Sequence, residues 1–311
     1  MASVPPRHAL ILTAGLGTRL QPLTTVRAKP AIPVAGIPMI RRIVSRLAGS
    51  GVDDLVLNLH HLPETLTAVL GDGRDLSARI RYSWEPLLLG SAGGPRRALP
   101  IVGADTFFII NGDTLTDVDL QAVAAAHDAS AARVTLALVA NTQPDRYGGV
   151  SLDDAGRVTG FPRRGAAAIG SYHFIGVQIA GADVFAALPP DRPSNTIPDV
   201  YGALIAAEPG SVRGYVCSAG FWDVGTTADY WRTSNALAAA ERRESVGVRA
   251  RVDPSAQVTR SILWDDVEVG ADCSLDECIV TDGVRVPRGS HYARQVLLRD
   301  SDGTVRTAPH D

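Results

Sequence analysis

Seventeen residues, Ala14 to Pro30 (AGLGTRLQPLTTVRAKP), constrain this chain more than any other stretch. They follow His8-Ala9-Leu10-Ile11-Leu12-Thr13, a short apolar run of the kind that forms a buried parallel strand. Beyond them Met39, Ile40, Ile43, Val44 and Leu47 recur at helical spacing. A strand, a long glycine-containing loop and a helix make the opening unit of an α/β nucleotide-binding fold. Gly15 and Gly17 let backbone pass close to a phosphate, and exposed N–H groups there can cradle its oxygens. Arg19 and Lys29 add positive charge, and Pro22, Pro30 and Pro33 stiffen a loop that would otherwise lose entropy on binding. The loop is neither common phosphate motif: Leu20 stands where a dinucleotide fingerprint needs its third glycine, and no Gly-Lys-Ser/Thr closes it. The plain alternative is a pair of structural glycines beside solvated cations.

Further apolar runs read as strands at Asp54 to Leu59, Ile80 to Trp84, Thr106 to Ile110 and Arg133 to Ala140, separated by helical patterns. This alternation predicts a doubly wound, mostly parallel, Rossmann-like sheet with ligands at the C-terminal strand ends. Three loops follow such ends: Gly15 to Pro30, Glu85 to Gly94, and Asn111-Gly112-Asp113. They are expected to share one site. Leu87 to Gly103 reads as a glycine-rich turn running into a short helix, Asp119 to Ala129 as a helix, and Thr227 to Arg243 as a long one. Asp113 ends a strongly apolar strand, where an unpaired carboxylate is costly to bury, and is the leading candidate for a metal ligand. A turn or a helix cap is its bland role.

After Arg249 the texture changes. Val252, Val258, Ile262, Val267, Val269, Leu275, Ile279, Val284 and Val286 recur every few residues, in runs such as VDPSAQV and VEVGADCSL. These are similar to hexapeptide repeats, so a short C-terminal left-handed parallel β-helix of roughly two coils is expected. The domains would be a catalytic one over 1–245 and a β-helix with a loose polar tail over 246–311. Two coils are too few to stand alone, which predicts packing on the main domain or on another subunit, and hence a homo-oligomer.

A formal charge of −3 and a pI near 6.2 argue against a nucleic-acid binder, which needs a basic face. No run reaches the length of a membrane span, and MASVPPRHALIL is a poor signal peptide. Three cysteines, Cys217, Cys273 and Cys278, cannot all pair, and a reduced, cytoplasmic location is the simplest fit; Cys273 and Cys278, with no histidine cluster nearby for zinc, read as small core residues.

GLGTRLQPLT with the later AKP resembles the GxGTRLxPLT…KP signature of the sugar-1-phosphate nucleotidyltransferases, or NDP-sugar pyrophosphorylases. The resemblance extends to about Tyr292. It implies nucleotidyl transfer from an NTP to a sugar 1-phosphate, by in-line displacement at the α-phosphorus with loss of pyrophosphate. It also implies Mg²⁺, held by one or two carboxylates with phosphate and water completing the shell. By the same resemblance, Arg19 would meet the triphosphate and Lys29 the phosphate oxygens near the reacting centre. Asp113 and Asp223, the latter in Phe-Trp-Asp-Val-Gly-Thr, would be the metal ligands; a loop aspartate capping the next helix is the bland reading of Asp223.

Ala14, Gly15, Gly17 and Thr18, with Asn111 and Gly112, would contribute the nucleotide-binding loops. Leu89-Gly90-Ser91-Ala92-Gly93-Gly94 resembles the family's LGTAG loop beside the nucleobase, and Tyr147-Gly148-Gly149-Val150 its YG(V/G)V segment beside the sugar. One departure is Phe161-Pro162-Arg163-Arg164-Gly165 in place of F-x-E-K-P. Arg164 keeps a charge for the sugar phosphate, but Arg163 replaces the glutamate expected on sugar hydroxyls. The texture is most like bacterial mannose-1-phosphate guanylyltransferases, implying GTP and mannose 1-phosphate. Glucose-1-phosphate thymidylyl- or uridylyltransferase and N-acetylmuramate-1-phosphate uridylyltransferase stay open, as does a silent nucleotide-sugar sensor. An acyltransferase would need many more coils.

Overall fold

The alternating apolar runs assemble into one seven-stranded sheet. Its strands are β1 (His8–Leu12), β2 (Asp54–Leu59), β3 (Arg79–Trp84), β4 (Thr106–Asn111), β5 (Val134–Ala140), β6 (Tyr172–Gly181) and β7 (Val212–Val216). The order is β7-β5-β6-β4-β1-β2-β3. All neighbours are parallel except β6, which runs antiparallel to both β4 and β5. The expected doubly wound sheet is therefore present, with one reversed strand. The computed structural model describes residues 6–310, so the first part of the MASVPPRHALIL stretch lies outside the described residues.

Two units can be distinguished: Met1–Gly15, Ile43–His61 and Leu70–Phe221 form the first, and Leu16–Arg42, Leu62–Val69 and Trp222–Asp311 the second. The sheet belongs to the first. Its central strands are buried on both faces, so they read as continuous apolar runs rather than alternating ones, and Leu10, Phe107, Ile109, Leu136 and Tyr201 are fully buried in its core. Helix α1 spans Gly90–Val102 and α2 spans Leu120–Asp128. The glycine-rich run expected to be a turn is already helical, because α1 starts at Gly90 itself. Those glycines are there for close approach, as the site shows. The Asp119 carboxylate caps α2, accepting from the N–H groups of Gln121 (2.9 Å) and Ala122 (3.1 Å).

In the second unit α3 (Thr227–Glu241) is capped by Thr226, whose hydroxyl accepts from the Asp229 N–H at 3.1 Å. The hexapeptide stretch forms parallel ladders on three faces. Arg251–Val252 pairs with Glu268–Val269 and then Arg285–Val286; Gln257–Thr259 pairs with Ser274–Asp276 and then His291–Ala293; Ile262–Leu263 pairs with Ile279–Val280 and then Gln295–Arg299. Each face carries three rungs, more than the two coils expected, because the ladders, repeating every 17 residues (251, 268, 285), run on past Tyr292 to Gln295–Arg299. Corner residues recur at the same interval in left-handed backbone: Arg249 (φ 60°), Asp266 (60°) and Gly283 (63°). Ion pairs tie successive corners, such as Arg249 Nε to Asp266 at 2.6 Å.

Val267, Leu275, Cys278, Val284 and Leu297 fill the interior. Cys273 and Cys278 are buried there as free thiols, as expected. The tail is not loose: Val305–Pro309 forms an antiparallel strand on Gln295–Arg299, closing one edge of the last rung.

Candidate active site

β1, β2 and β4 end side by side, Leu12 lying opposite both Asn58 and Asn111. A cavity of about 290 Å³ opens at these ends, in the first unit. Leu12, Asn58 and Asn111 line it from the strands, and Ala14 and Gly15 from the loop after β1. Leu88, Gly90 and Ser91 come from the segment entering α1, and Asp113 from the turn after β4. The three loops picked out in the sequence thus reach one cavity, at the C-terminal edge where an open α/β sheet binds ligands.

Local chemistry explains each wall. Gly112 N–H donates to the Leu12 carbonyl at 3.0 Å, pinning the Asn-Gly-Asp turn to the end of β1. At Gly90 the backbone is left-handed (φ 75°), and a side chain would begin 2.6 Å from the Ser194 carbonyl; only glycine fits. That carbonyl accepts the N–H groups of Ala92 (2.9 Å) and Gly93 (3.2 Å), and Ser91 Oγ lies 3.0 Å from Thr196 Oγ1. Ser91, Ala92 and Gly93 are therefore tied to the strap 194–196.

Asp113 is half-buried at the cavity wall. It is not a helix cap, since Asp119 performs that function. Asp223, in the second unit, ends the strand Phe221–Asp223, and a side chain at Gly225 would come within 3.1 Å of its carboxylate. It is not the cap of α3 either, because Thr226 is. Among the described residues no group of three or more His, Cys, Asp or Glu could hold a metal alone. The polar groups on the cavity wall include a carboxylate and carboxamides but no thiol or imidazole. Such oxygen donors suit a hard cation that keeps water and phosphate ligands.

A second cluster in the same unit surrounds Tyr147. Its ring lies 4.3 Å from that of His173 and 5.6 Å edge-on from that of Phe221, with the Arg146 guanidinium 5.0 Å over its face. Gly149 N–H donates to the Pro162 carbonyl at 2.9 Å. The structure thereby brings the Tyr147-Gly148 segment beside the Pro162-Arg163-Arg164 loop, where both arginines are exposed.

The signature loop from Leu16 onward belongs to the second unit. Gly17 is left-handed (φ 61°), its carbonyl accepting from Thr24 Oγ1 at 3.0 Å. Thr18 and Arg19 open a single 3-10 turn and are exposed, whereas Lys29 is buried. Arg27, buried between them in sequence, donates to Asp282 through Nε and Nη2 (2.6 Å each) and to Asp265 through Nη2 (2.6 Å). Its guanidinium stacks 5.4 Å over Trp264, whose Nε1 donates to Tyr230 Oη at 2.9 Å. Burial raises the Asp282 carboxyl above its ordinary value, and the Arg27 contacts offset only part of that rise. With the guanidinium bonded to both its oxygens, the pair is ionic.

The sequence reading did not single out Arg27, Asn58, Glu85, Leu88 or His173. Asn58 left a signal, a lone polar residue near the end of the apolar run DLVLNL. Glu85 was read only as a loop boundary.

The model of the nucleotidyl transferase family matches residues 8–240, and that of a GlmU-like C-terminal hexapeptide region matches 235–294. The chain is 31% identical over 293 residues to mannose-1-phosphate guanylyltransferase of Mycobacterium tuberculosis, covering 90% of this chain and 81% of that protein. It is 27% identical over 300 residues to UTP–glucose-1-phosphate uridylyltransferase of Synechocystis, covering 89% and 76%. The crystal structure of HddC from Yersinia pseudotuberculosis has the same fold, with a TM-score of 0.64 at 23% identity over 74% of this chain and 99% of that one.

Proposed function

The chain belongs to the nucleotidyl transferase family, and on that premise we propose that it joins an NTP to a sugar 1-phosphate, giving an NDP-sugar and pyrophosphate. The observation that carries this is the cavity at the ends of β1, β2 and β4, walled by Gly15, Ser91 and Asp113. GTP and mannose 1-phosphate are the favoured pair, supported by the similarity to the mycobacterial guanylyltransferase over most of both chains.

In this reading the backbone of Ala14, Gly15, Gly17 and Thr18 and the cations of Arg19 and Lys29 bind and neutralise the phosphates. Gly90, Ser91, Ala92 and Gly93 present the base platform, with Asn111 also contacting the nucleotide and Gly112 holding the turn after β4 against the end of β1. Tyr147 and Gly148 face the sugar, and Arg164 orients its phosphate. The sugar phosphate oxygen attacks the α-phosphorus, one P–O bond forming as the bond to pyrophosphate breaks, so no side chain carries the nucleotidyl group. Asp113, and on motif likeness Asp223, would hold Mg²⁺, which when bound offsets the charge that develops on the phosphates.

A homo-oligomer is part of the proposal, supported by the exposed Val248 and Val252 of the β-helix. Light scattering should give a mass above that of one chain, and a strict monomer would contradict it. A cytoplasmic location is proposed with it, supported by the absence of any described helix long and apolar enough to cross a membrane and by free thiols.

The test is a screen of the four NTPs against a panel of sugar 1-phosphates, read as pyrophosphate release. Release with GTP and a hexose 1-phosphate is expected. Tight NTP binding with no turnover for any pair would favour a silent sensor.

A further inference from the structure

Glu85 follows β3 directly, is 0% exposed, and has no part in the chemistry above. Both of its carboxylate oxygens are used, and both by neutral donors. Oε1 accepts from Asn58 Nδ2 at 2.7 Å, and Oε2 accepts from the Leu89 backbone N–H at 2.9 Å. Asn58 Oδ1 in turn accepts from the Thr13 backbone N–H at 2.7 Å. The relay therefore runs Thr13, Asn58, Glu85, Leu89, joining the ends of β1, β2 and β3 to the start of α1. A side chain at Gly94 would begin 2.6 Å from Glu85 Oε1 and 2.8 Å from Asn58 Nδ2, so α1 is glycine-rich where it must clear this relay.

We propose that Glu85 is a positioning residue for the nucleotide cavity, acting through Asn58 and Leu89 rather than on the ligand. Asn58 lines the cavity itself, and Leu88, Gly90 and Ser91 on its wall flank the tethered Leu89. The polarity of the relay is fixed from outside. Its two ends are backbone N–H groups, which can only donate. Between two such donors, two side chains must offer three acceptor oxygens and one N–H: one carboxylate and one carboxamide, in either order. Two carboxamides place a donor against a donor, and two carboxylates place two anions face to face in a buried site.

This rule gives a test with a built-in rescue, and it rests on the nucleotidyltransferase reading for its substrate readout. Glu85→Gln and Asn58→Asp, alone and together, are compared by NTP binding, steady-state kinetics and thermal melting. Each single variant should raise KM for the NTP by about ten- to a hundredfold, the effect of one lost or opposed buried hydrogen bond, with a smaller change in kcat. The double variant restores three acceptors and one donor in reversed order, and should recover most of the NTP affinity. Single variants that melt lower but keep the wild-type KM would reduce Glu85 to a stability role and overturn the proposal. A folded double variant no better than the worse single one would overturn it too. Wild-type protein that neither binds nor turns over any NTP would instead overturn the nucleotidyltransferase reading, and this proposal with it. Failure of the rescue in an active wild-type background overturns this one alone.

Discussion

Arg27 and Asp282, 255 positions apart, meet through two hydrogen bonds of 2.6 Å. Asp265 shares the same guanidinium, and Trp264 lies beneath it. A residue of the signature loop, two positions before Lys29, is thus bonded into the C-terminal β-helix. The repeat does more than cap the chain: it fixes the loop that the phosphates are proposed to meet.

Arg27→Ala should leave Asp265 and Asp282 close together without their shared cation. Arg27 is buried but both carboxylates are nearly a third exposed, so removing their cation costs less than the roughly 3–5 kcal/mol of a fully buried pair, and calorimetry should still record a drop in Tm. An unchanged Tm would mean that the bonded arrangement does not exist in solution.

Arg42 grips Glu241 through two hydrogen bonds, of 2.5 and 2.9 Å. That contact holds the Glu241 carboxyl below its usual range against the opposing effect of burial. A carboxylate with a lowered folded-state pKa adds stability that is fully present above the unfolded value near 4.5 and lost as pH falls through the folded one. Because the Glu241 side chain is a third exposed, the effect is modest. Melts from pH 7 down to pH 3 should therefore fall less steeply for Glu241→Gln than for wild type. Parallel curves would remove this pair from the acid response.

Arg164→Ala should raise KM for the sugar 1-phosphate about ten- to a hundredfold, the range for one charge-assisted contact, with KM for the NTP little changed. An equal rise for both substrates would mark the Phe161–Gly165 loop as structural.

Asp113→Asn and Asp223→Asn should each lower kcat by orders of magnitude while Tm stays within a few degrees. Chelation of divalent cations should silence the wild type in the same way, with recovery on adding Mg²⁺. Near-normal turnover by either variant at limiting Mg²⁺ would exclude that residue as a ligand.

Much of this was legible in the chain. Apolar runs such as TFFII and DLVLNL marked the strands because a sheet covered on both faces leaves no room for alternation. Their ends pointed to the loops that line the cavity. The reversed direction of β6 was not legible, since an apolar run carries no sign of strand direction. The helical state of the Gly90–Gly94 run was hidden too. Gly90 does use its freedom to turn, with φ of 75°, but Gly93 and Gly94 are there for close packing against the strap at Ser194 and against Glu85 and Asn58. A third coil was not legible because its last strand, Gln295–Arg299, lies beyond Tyr292, where the repeat texture fades. The tail was called loose on polarity, yet Val305–Pro309 finds hydrogen-bond partners on the last rung. Glu85 and Arg27 escaped notice because their partners lie across the fold, and sequence spacing holds no trace of such pairs.

The central claim is nucleotidyl transfer at the cavity beside Asp113. Its most direct test is to incubate the protein with GTP, mannose 1-phosphate and Mg²⁺, and to identify the products and the intact protein by mass spectrometry. The account predicts GDP-mannose and pyrophosphate in equal amounts, no adduct on the chain, and almost no product from Asp113→Asn. Product formed equally well by that variant, or a covalent nucleotidyl adduct on the protein, would contradict it.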